Sequence, residues 1–144
     1  MKHVILPAET TVRTTKYGPM PVGTLKIGET IVGFNYDGRP QGVCLTITDI
    51  KPLPEKMPAL SLSLHGVANV SLAEDTMILT RAGVKRAGEC PNHLIGVCII
   101  NPNQPLTRQI SMALPLPNLK MVELFWDSPY YLLAEGCLVG TYVA

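Results

Sequence analysis

Short apolar stretches separated by proline and glycine make up most of this sequence, and alternation is the clearest pattern within them. From Leu60 to Leu72 the even positions are apolar or small, whereas the odd positions, including His65, are mostly polar. This alternation is typical of a strand with one buried face. Because thirteen residues would make a long strand, the pattern allows either one strand bent near residues 65–69 or a hairpin at the same place.

The rest of the chain also predicts strands rather than helices. No window sustains the i, i+3, i+4, i+7 spacing that a helix requires, and 13 prolines and 12 glycines interrupt the sequence. Asp37-Gly38 is a preferred pair for a hairpin turn. We therefore predict a nearly all-β fold. The further predicted strands are Thr11–Thr15, Glu29–Tyr36, Gly42–Asp49, Thr76–Thr80, Leu94–Ile100, Arg108–Leu114, Lys120–Trp126, Tyr130–Ala134 and Cys137–Val143.

Two ten-residue stretches resemble each other at four positions, Thr15/Thr80, Lys16/Arg81, Gly18/Gly83 and Gly23/Gly88. "TTKYGPMPVG" (Thr14–Gly23) matches "LTRAGVKRAG" (Leu79–Gly88) at a fixed offset of 65 positions. The same offset aligns apolar Val12 with Met77. Each copy has the pattern of a strand, a glycine-containing turn, a short second strand and a link into a third strand. The repeat therefore predicts two pseudo-symmetric β units that share one core.

Length and composition limit the organisation and the partners. A chain of 144 residues suits a single domain, which we expect to span residues 1–144. Charged residues make up 16% of the chain, against roughly a quarter in ordinary soluble domains. We therefore expect protein subunits, of the same or another kind, to cover part of the surface. Net charge is +1 with scattered Lys and Arg, so we predict no nucleic-acid partner.

The sequence predicts neither a membrane span nor a secretion signal. No apolar stretch approaches the roughly 20 residues that cross a bilayer, and the start "MKHVILPA" is too short for a signal-peptide core of about 7 to 15 residues. The four cysteines form no C-x-x-C pair. We interpret them as buried thiols in a reducing compartment rather than a disulfide framework. The expected location is the cytoplasm, or a virion if the chain is a phage component.

The repeat and the end of the chain resemble the hedgehog/intein (Hint) family. Residues 5–38, beginning "ILPAETTVRT", resemble the N-terminal block of that family, and residues 71–90 resemble its T-x-x-H block. The segment "YYLLAEGCLVGTYVA", residues 130–144, resembles the terminal block. The order and spacing of these blocks span nearly the whole chain. The resemblance implies a Hint-like fold.

The resemblance also implies where chemistry would lie. Family members cleave or splice themselves when an N-terminal Cys or Ser attacks the preceding carbonyl, with help from a His in the middle block and a terminal His-Asn pair. The matching positions here hold Ile5 for the nucleophile, Ala73 and Thr76 for T-x-x-H, and Gly140 and Thr141 for His-Asn. Only residues 1–4 precede Ile5, so we expect no large segment to be released. We predict no catalytic residue and no cofactor.

A metal site and a thiol enzyme are alternatives to this interpretation. Cys90, His93 and Cys98 give C-x2-H-x4-C, a spacing that zinc tolerates, but no fourth ligand is evident nearby, so we assign no metal. Cys44 or Cys137 could act as a nucleophile with His65. Because both cysteines lie in apolar strand segments, core packing explains them better.

Trp126, Tyr130 and Tyr131 form the densest aromatic cluster, within "FWDSPYY". Large aromatic side chains anchor both cores and protein interfaces. The cluster is therefore either core or a candidate interface. Our leading hypothesis is a non-catalytic structural or binding subunit on a degenerate Hint-like fold, part of a larger assembly such as a phage or virus particle. The alternative is a self-processing Hint protein or small hydrolase with displaced catalytic residues.

Overall fold

The predicted all-β character is confirmed. The computed structural model describes residues 2–34, 40–64, 68–80, 83–89, 95–101, 104–126, 128, 130–135 and 137–140. Two short 3₁₀ helices, Val22–Thr24 and Ala87–Glu89, accompany the strands. The strands are β1 Lys2–Pro7, β2 Thr11–Thr14, β3 Gly18–Pro21, β4 Thr30–Phe34, β5 Pro40–Pro52, β6 Met57–Leu64, β7 Ala68–Ala73, β8 Met77–Thr80, β9 Gly83–Arg86, β10 Ile95–Asn101, β11 Gln104–Leu119, β12 Met121–Trp126, β13 Leu132–Ala134 and β14 Cys137–Val139.

The strands form one continuous path of hydrogen-bonded antiparallel neighbours. Its order is β1-β12-β5-β4-β2-β13-β14-β8-β10-β11-β6-β7, with β3 added to β2 and β9 added to β8. The two ends of the path, β1 and β7, lie against each other. The sheet therefore curls round and brings together segments that are about half a chain apart in sequence.

The alternating segment from Leu60 to Leu72 belongs to a hairpin rather than to one bent strand. Strands β6 and β7 pair with Leu62 opposite Val70 and Ser61 opposite Ser71. The leucine and valine are buried, whereas the two serines are partly exposed. Both strands thus keep their apolar face on the core, as the alternation requires. His65 lies outside the described residues, as does the Asp37-Gly38 pair.

The sequence pattern missed β1 and underestimated two other strands. Val4 and Leu6 on β1 are buried while His3 is exposed, so the strand does alternate, but it is short and ends at a proline. Strand β5 runs from Pro40 to Pro52, longer than the predicted Gly42–Asp49. Strand β11 likewise exceeds the predicted Arg108–Leu114 at both ends. A proline lacks only the N–H, so the ends of a strand accept it.

The two predicted β units are present, with one correction to their alignment. Strand β2 joins β3 through the pair Thr14–Gly18, and β8 joins β9 through Thr80–Gly83. Three residues separate the first pair and two separate the second. The first-unit turn, residues 15–17, is therefore one residue longer than its counterpart, and the offset between units is 66 before the turn and 65 after it.

This correction changes which residues of the two units correspond. Val12 on β2 is equivalent to Ile78 on β8, not to Met77 as the fixed offset predicted. Val12 and Ile78 are both buried in the main core, whereas Met77 is only partly buried. An alignment at constant offset fails here because a turn can lengthen by one residue without moving the strands that it joins.

The main core lies inside the curled sheet and receives side chains from both units. Trp126 is its largest side chain, joined by aliphatic residues such as Leu6, Ile31 and Ile78, and Tyr131 is also fully buried. Among the residues described, no helix is long and apolar enough to cross a membrane.

Candidate functional site

Two positions matched to the Hint chemistry, Ile5 and Thr76, are joined by a hydrogen bond, and a third, Gly140, bonds to Met77, the residue after Thr76. Ile5 lies on β1, Thr76 directly precedes β8, and Gly140 directly follows β14. The Thr76 hydroxyl donates a hydrogen bond to the Ile5 carbonyl oxygen and accepts one from the Ala73 N–H at 3.0 Å. Thr76 is completely buried. The tertiary structure thus joins positions 71 residues apart in sequence. The fifth predicted position, Thr141, lies outside the described residues.

The Thr76 hydrogen bond has a counterpart made by the other unit. The Thr10 hydroxyl donates to the Ser71 carbonyl oxygen on β7 at 3.0 Å. At the offset of 66, Thr10 is equivalent to Thr76 and Ser71 to Ile5. Each unit therefore donates one buried threonine hydroxyl to the strand of the other unit. Sequence reasoning missed Thr10 and Ser71, and only the corrected offset would have paired them with Thr76 and Ile5.

The backbone around the two threonines is also equivalent. Thr10 N–H donates to Pro7 O at 2.9 Å and Thr76 N–H donates to Ala73 O at 3.0 Å. Their carbonyl oxygens accept from the first residues of the two 3₁₀ helices, Val22 and Ala87, at 2.8 Å each. A buried polar group must be satisfied within the protein. At position 76 the N–H, the carbonyl oxygen and the hydroxyl each have a backbone hydrogen-bond partner.

The Ile5 side chain, at the position of the family's nucleophile, packs in a small apolar cluster separate from the main core. Ala73, at the position of the family's Thr, is a buried member of the same cluster. We call this group the satellite cluster; it consists of Ala59, Ala73 and Met121 with Ile5, Leu53, Met57, Leu116 and Leu119. Burial of aliphatic carbon stabilises the fold at about 25 cal/mol per Å². These two positions therefore contribute apolar packing.

Gly140, at the position of the family's terminal His, is held in a conformation and a space that suit glycine alone. Its N–H donates to Met77 O at 3.0 Å, and its φ is +135°. A Cβ placed there would lie 2.9 Å from Cζ2 of Trp126. The Trp126 ring is fixed in turn, because its Nε1–H donates to Tyr130 O at 2.8 Å. A side chain at position 140 would therefore require both a strained backbone and movement of a buried indole.

The residues before Ile5 belong to the sheet. Lys2, His3 and Val4 pair with Trp126, Phe125 and Leu124 of β12. The Val4 side chain is buried in the main core. The peptide bond preceding Ile5, where a self-cleaving relative would be cut, thus lies in the middle of a paired strand.

The predicted aromatic cluster is divided between core and surface. The side chains of Trp126 and Tyr131 are 0% and 1% exposed, so they pack inside the protein and present no surface to a partner. Tyr130 is only partly buried and packs against the main core. Core packing thus explains two of the three aromatic residues. An interface role stays a prediction for Tyr130.

The structure describes three of the four cysteines that the sequence singled out. Cys44 is exposed on β5, which corrects its assignment to the core. The reason is alternation, since its neighbour Leu45 points inward. Cys98 lies on β10 with Cys137 of β14 as its register partner, whereas Cys90 and His93 fall outside the described residues. Within the described ranges no group of three or more His, Cys, Asp or Glu is placed to hold a metal.

Three charged side chains form an exposed network on the second unit. Arg86 at the end of β9 pairs with Asp75 and, at 3.2 Å, with Glu89. The hydrogen bond from its guanidinium to Asp75 raises the pKa of Arg86. The three side chains are 46% to 57% exposed to solvent. The network therefore fastens β9 to the turn that precedes Thr76, at the surface of the second unit.

Comparison with solved structures supports the fold. A DnaB intein from Synechocystis matches with a TM-score of 0.83 over 98% of this chain and 99% of the other, at 12% identity. The gp41-1 intein matches with a TM-score of 0.76, with 95% and 97% coverage and 12% identity. A DnaX mini intein from Spirulina platensis matches with a TM-score of 0.71, with 94% and 98% coverage and 9% identity.

No family model and no curated protein matches the sequence. The likeness lies in the path of the chain, because at most 12% of residues are identical in these three matches. It nevertheless covers almost the full length of each structure, so it includes both β units and the terminal strands. The predicted Hint-like architecture is therefore confirmed, and this chain has the fold of the inteins, the Hint fold.

Proposed function

We propose that this protein is a non-catalytic structural or binding module that uses the Hint fold as a scaffold. The observation that carries the proposal is the reciprocal pair of threonine bonds. Position 76 is where a self-processing relative places its His. Here its hydroxyl donates a hydrogen bond to a backbone carbonyl of the other unit, as the hydroxyl of Thr10 does. A group already satisfied by two backbone partners has no free role in proton transfer.

The surroundings of Thr76 support the same proposal. Nucleophilic catalysis needs a thiol or hydroxyl beside a proton acceptor. Ile5 supplies neither group, and its side chain packs in the satellite cluster. The ring of Trp126 occupies the space where a side chain at Gly140 would extend. The four described positions thus contribute packing and hydrogen bonds in place of chemistry.

The function of such a module lies in what it contacts. Low charge and high apolar content are the features that favour a subunit of a larger protein assembly, for which a phage or virus particle is one natural setting. We therefore propose protein partners, either further copies of this chain or other subunits.

Intact mass tests the proposal directly. The full chain is purified under denaturing conditions, refolded, and held for several days with and without hydroxylamine, which cleaves any ester or thioester in the backbone. We expect the full-length mass to persist in both samples. Chain shortening would contradict the proposal, and hydroxylamine-dependent cleavage would point to the alternative of self-processing through a displaced nucleophile.

A matched pair of variants extends the test. In a self-processing protein that uses position 76, Thr76→Val would abolish cleavage while Thr10→Val would spare it. In a purely structural module the two variants differ only in stability. Size-exclusion chromatography with light scattering then reports the assembly state, and a protein that stays monomeric and binds no other protein would count against the proposed role in an assembly.

A further inference from the structure

The largest exposed apolar side chains on the described surface are not evenly distributed. Only Tyr17, Ile27 and Leu114 among the described residues are large hydrophobics with exposed fractions of 61%, 63% and 52%. Tyr17 lines a cleft of about 550 Å³ in the first unit, and Ile27 lies between two residues that line it, Lys26 and Gly28. Single exposed apolar residues are normal, but two beside one concavity mark a site of interaction.

Charge at this cleft is unbalanced. Lys16 and Lys26 line it, and Glu29 is the one acidic residue in its lining. An oxygen of the Glu29 carboxylate accepts the Lys26 backbone N–H at 2.9 Å, so this hydrogen bond holds the carboxylate against its own turn. The Lys16 ammonium lies 5.2 Å from the centroid of the Tyr17 ring. An apolar surface beside two cations is complementary to an apolar group flanked by carboxylates.

The turn that carries Tyr17 is held in place by its own hydrogen bonds. The Thr14 hydroxyl accepts the Tyr17 N–H at 3.0 Å and donates to Gly18 O at 2.7 Å. The Thr15 hydroxyl bonds to that of Thr30 on β4. A preformed surface loses less conformational entropy when a partner binds.

The opposite wall of the cleft is fixed to the sheet as well. Gly28 N–H donates to Ile47 O at 2.9 Å, and Glu29 N–H donates to Lys26 O at 3.1 Å. Gly28 has a φ of +93°, a conformation that glycine adopts without strain. The segment 26–29 is thus a tight turn tied to β5, with Ile27 at its exposed tip.

The turn that carries Tyr17 is found only in the first unit in this longer form. The turn at residues 15–17 is one residue longer than its counterpart in the second unit, although the strands on both sides are equivalent. Tyr17 is largely exposed and is absent from the core clusters. The extra residue therefore adds surface to the first unit without being needed for the packing that the two units share.

We propose that this cleft is the docking site for a segment of a partner protein in which an aromatic or aliphatic side chain is flanked by Asp or Glu. The apolar side chain packs against Tyr17 and Met20, which line the cleft, while the carboxylates face Lys16 and Lys26. This inference rests on the proposed function as a binding module, since it identifies the surface and the chemistry of the partner.

Selection from a random peptide library tests the proposal. Phage displaying random dodecapeptides are enriched on the immobilised full-length protein, and the consensus is synthesised with a fluorescein label for anisotropy measurements. We expect acidic residues on both sides of an aromatic or aliphatic residue. We also expect the affinity to fall with added salt, because the attraction between exposed charges is screened.

Four variants locate the site. Tyr17→Ser and Lys26→Glu should each weaken binding of the consensus peptide roughly tenfold, the effect of losing an interface anchor. The controls are Leu114→Ser, which removes the exposed apolar residue outside the cleft, and Lys56→Glu, which reverses an exposed charge in the loop before β6. Both controls should change the affinity by less than about twofold.

The outcomes either support or overturn the docking site. Enrichment of basic or uncharged peptides, equal binding by Tyr17→Ser, or no enrichment at all would overturn it. Intact mass measured on the same preparation keeps the two proposals separate: a full-length chain that selects no such peptide contradicts the docking site alone, whereas a shortened chain contradicts the absence of catalysis.

Discussion

The two β units of this chain share several equivalent hydrogen bonds but differ in the turns between their strands. Thr10 and Thr76 each donate a buried hydroxyl to the other unit, and each carbonyl accepts the first N–H of a 3₁₀ helix. The first-unit turn, residues 15–17, has one residue more than its counterpart. Features found in both units are therefore those that the fold requires, and features of one unit are available for function.

This comparison changes the interpretation of position 76. Considered alone, Thr76 is the residue that the sequence resemblance matched to the His of the Hint family. Considered beside Thr10, it is one half of a reciprocal pair of hydrogen bonds between the two units. The same comparison shows that the turn carrying Tyr17 has one residue more than its counterpart, which is why the two residues have opposite roles in our proposals.

The largest expected effect comes from removing the threonine hydroxyls. Thr76→Val leaves the Ile5 carbonyl and the Ala73 N–H buried without this partner, and we expect a loss of about 2–4 kcal/mol in the free energy of unfolding. Thr10→Val removes one bond, to Ser71 O, and should cost about 1–2 kcal/mol. Denaturant unfolding measures both values.

The exposed Thr46 on β5 provides the control for these variants. Thr46→Val removes a hydroxyl at the surface and should change stability by less than about 0.5 kcal/mol. The double variant Thr10→Val/Thr76→Val should show coupling between the two sites, because both bonds connect the first unit to the second where β1 and β7 are in contact. Equal and negligible effects of all three single variants would show that the pair does not hold the two units together.

A smaller difference is expected at the glycines of the two 3₁₀ helices. A Cβ on Gly23 would lie 3.0 Å from Ala8 O and 3.1 Å from Ala8 Cβ, whereas one on Gly88 would lie 3.3 Å from Glu74 O and 3.4 Å from Glu74 Cβ. Gly23→Ala should therefore cost about 1–3 kcal/mol and Gly88→Ala about 1 kcal/mol or less. Thermal unfolding of the two variants, measured side by side, gives the order. The reverse order would mean that the second unit is packed more tightly than the first.

The smallest effect concerns the network of Arg86, Asp75 and Glu89. Among the described ion pairs, the first unit has no equivalent of it. Position 86 holds Arg, whereas the equivalent position 21 in the first unit holds Pro. Because Arg86 and its two partners are exposed, Arg86→Gln should lower the melting temperature only slightly. The difference from wild type should shrink further in 1 M salt, where the Debye length is about 3 Å. A decrease that persists at high salt would show that the side chain contributes through packing.

Much of this fold could be predicted from local patterns. Alternation placed Leu62 and Val70 on the core face, and the repeated decapeptide indicated two similar units. These signals are local because the side-chain period of a strand and the chemistry of a turn depend on neighbours within a few residues. The matched blocks likewise identified positions 5 and 76, which the structure joins by a hydrogen bond.

What the sequence by itself determined is thus the class of fold, the order of most strands and the identity of the residues at the candidate site. Only the tertiary structure decided that the hydroxyls of Thr10 and Thr76 cross between units, that the Trp126 ring fills the space beside Gly140, and that one turn is longer. The partners in these contacts are from 14 to 71 residues apart. Such contacts form when the sheet curls and its ends meet, and no local periodicity encodes where two distant strands will touch.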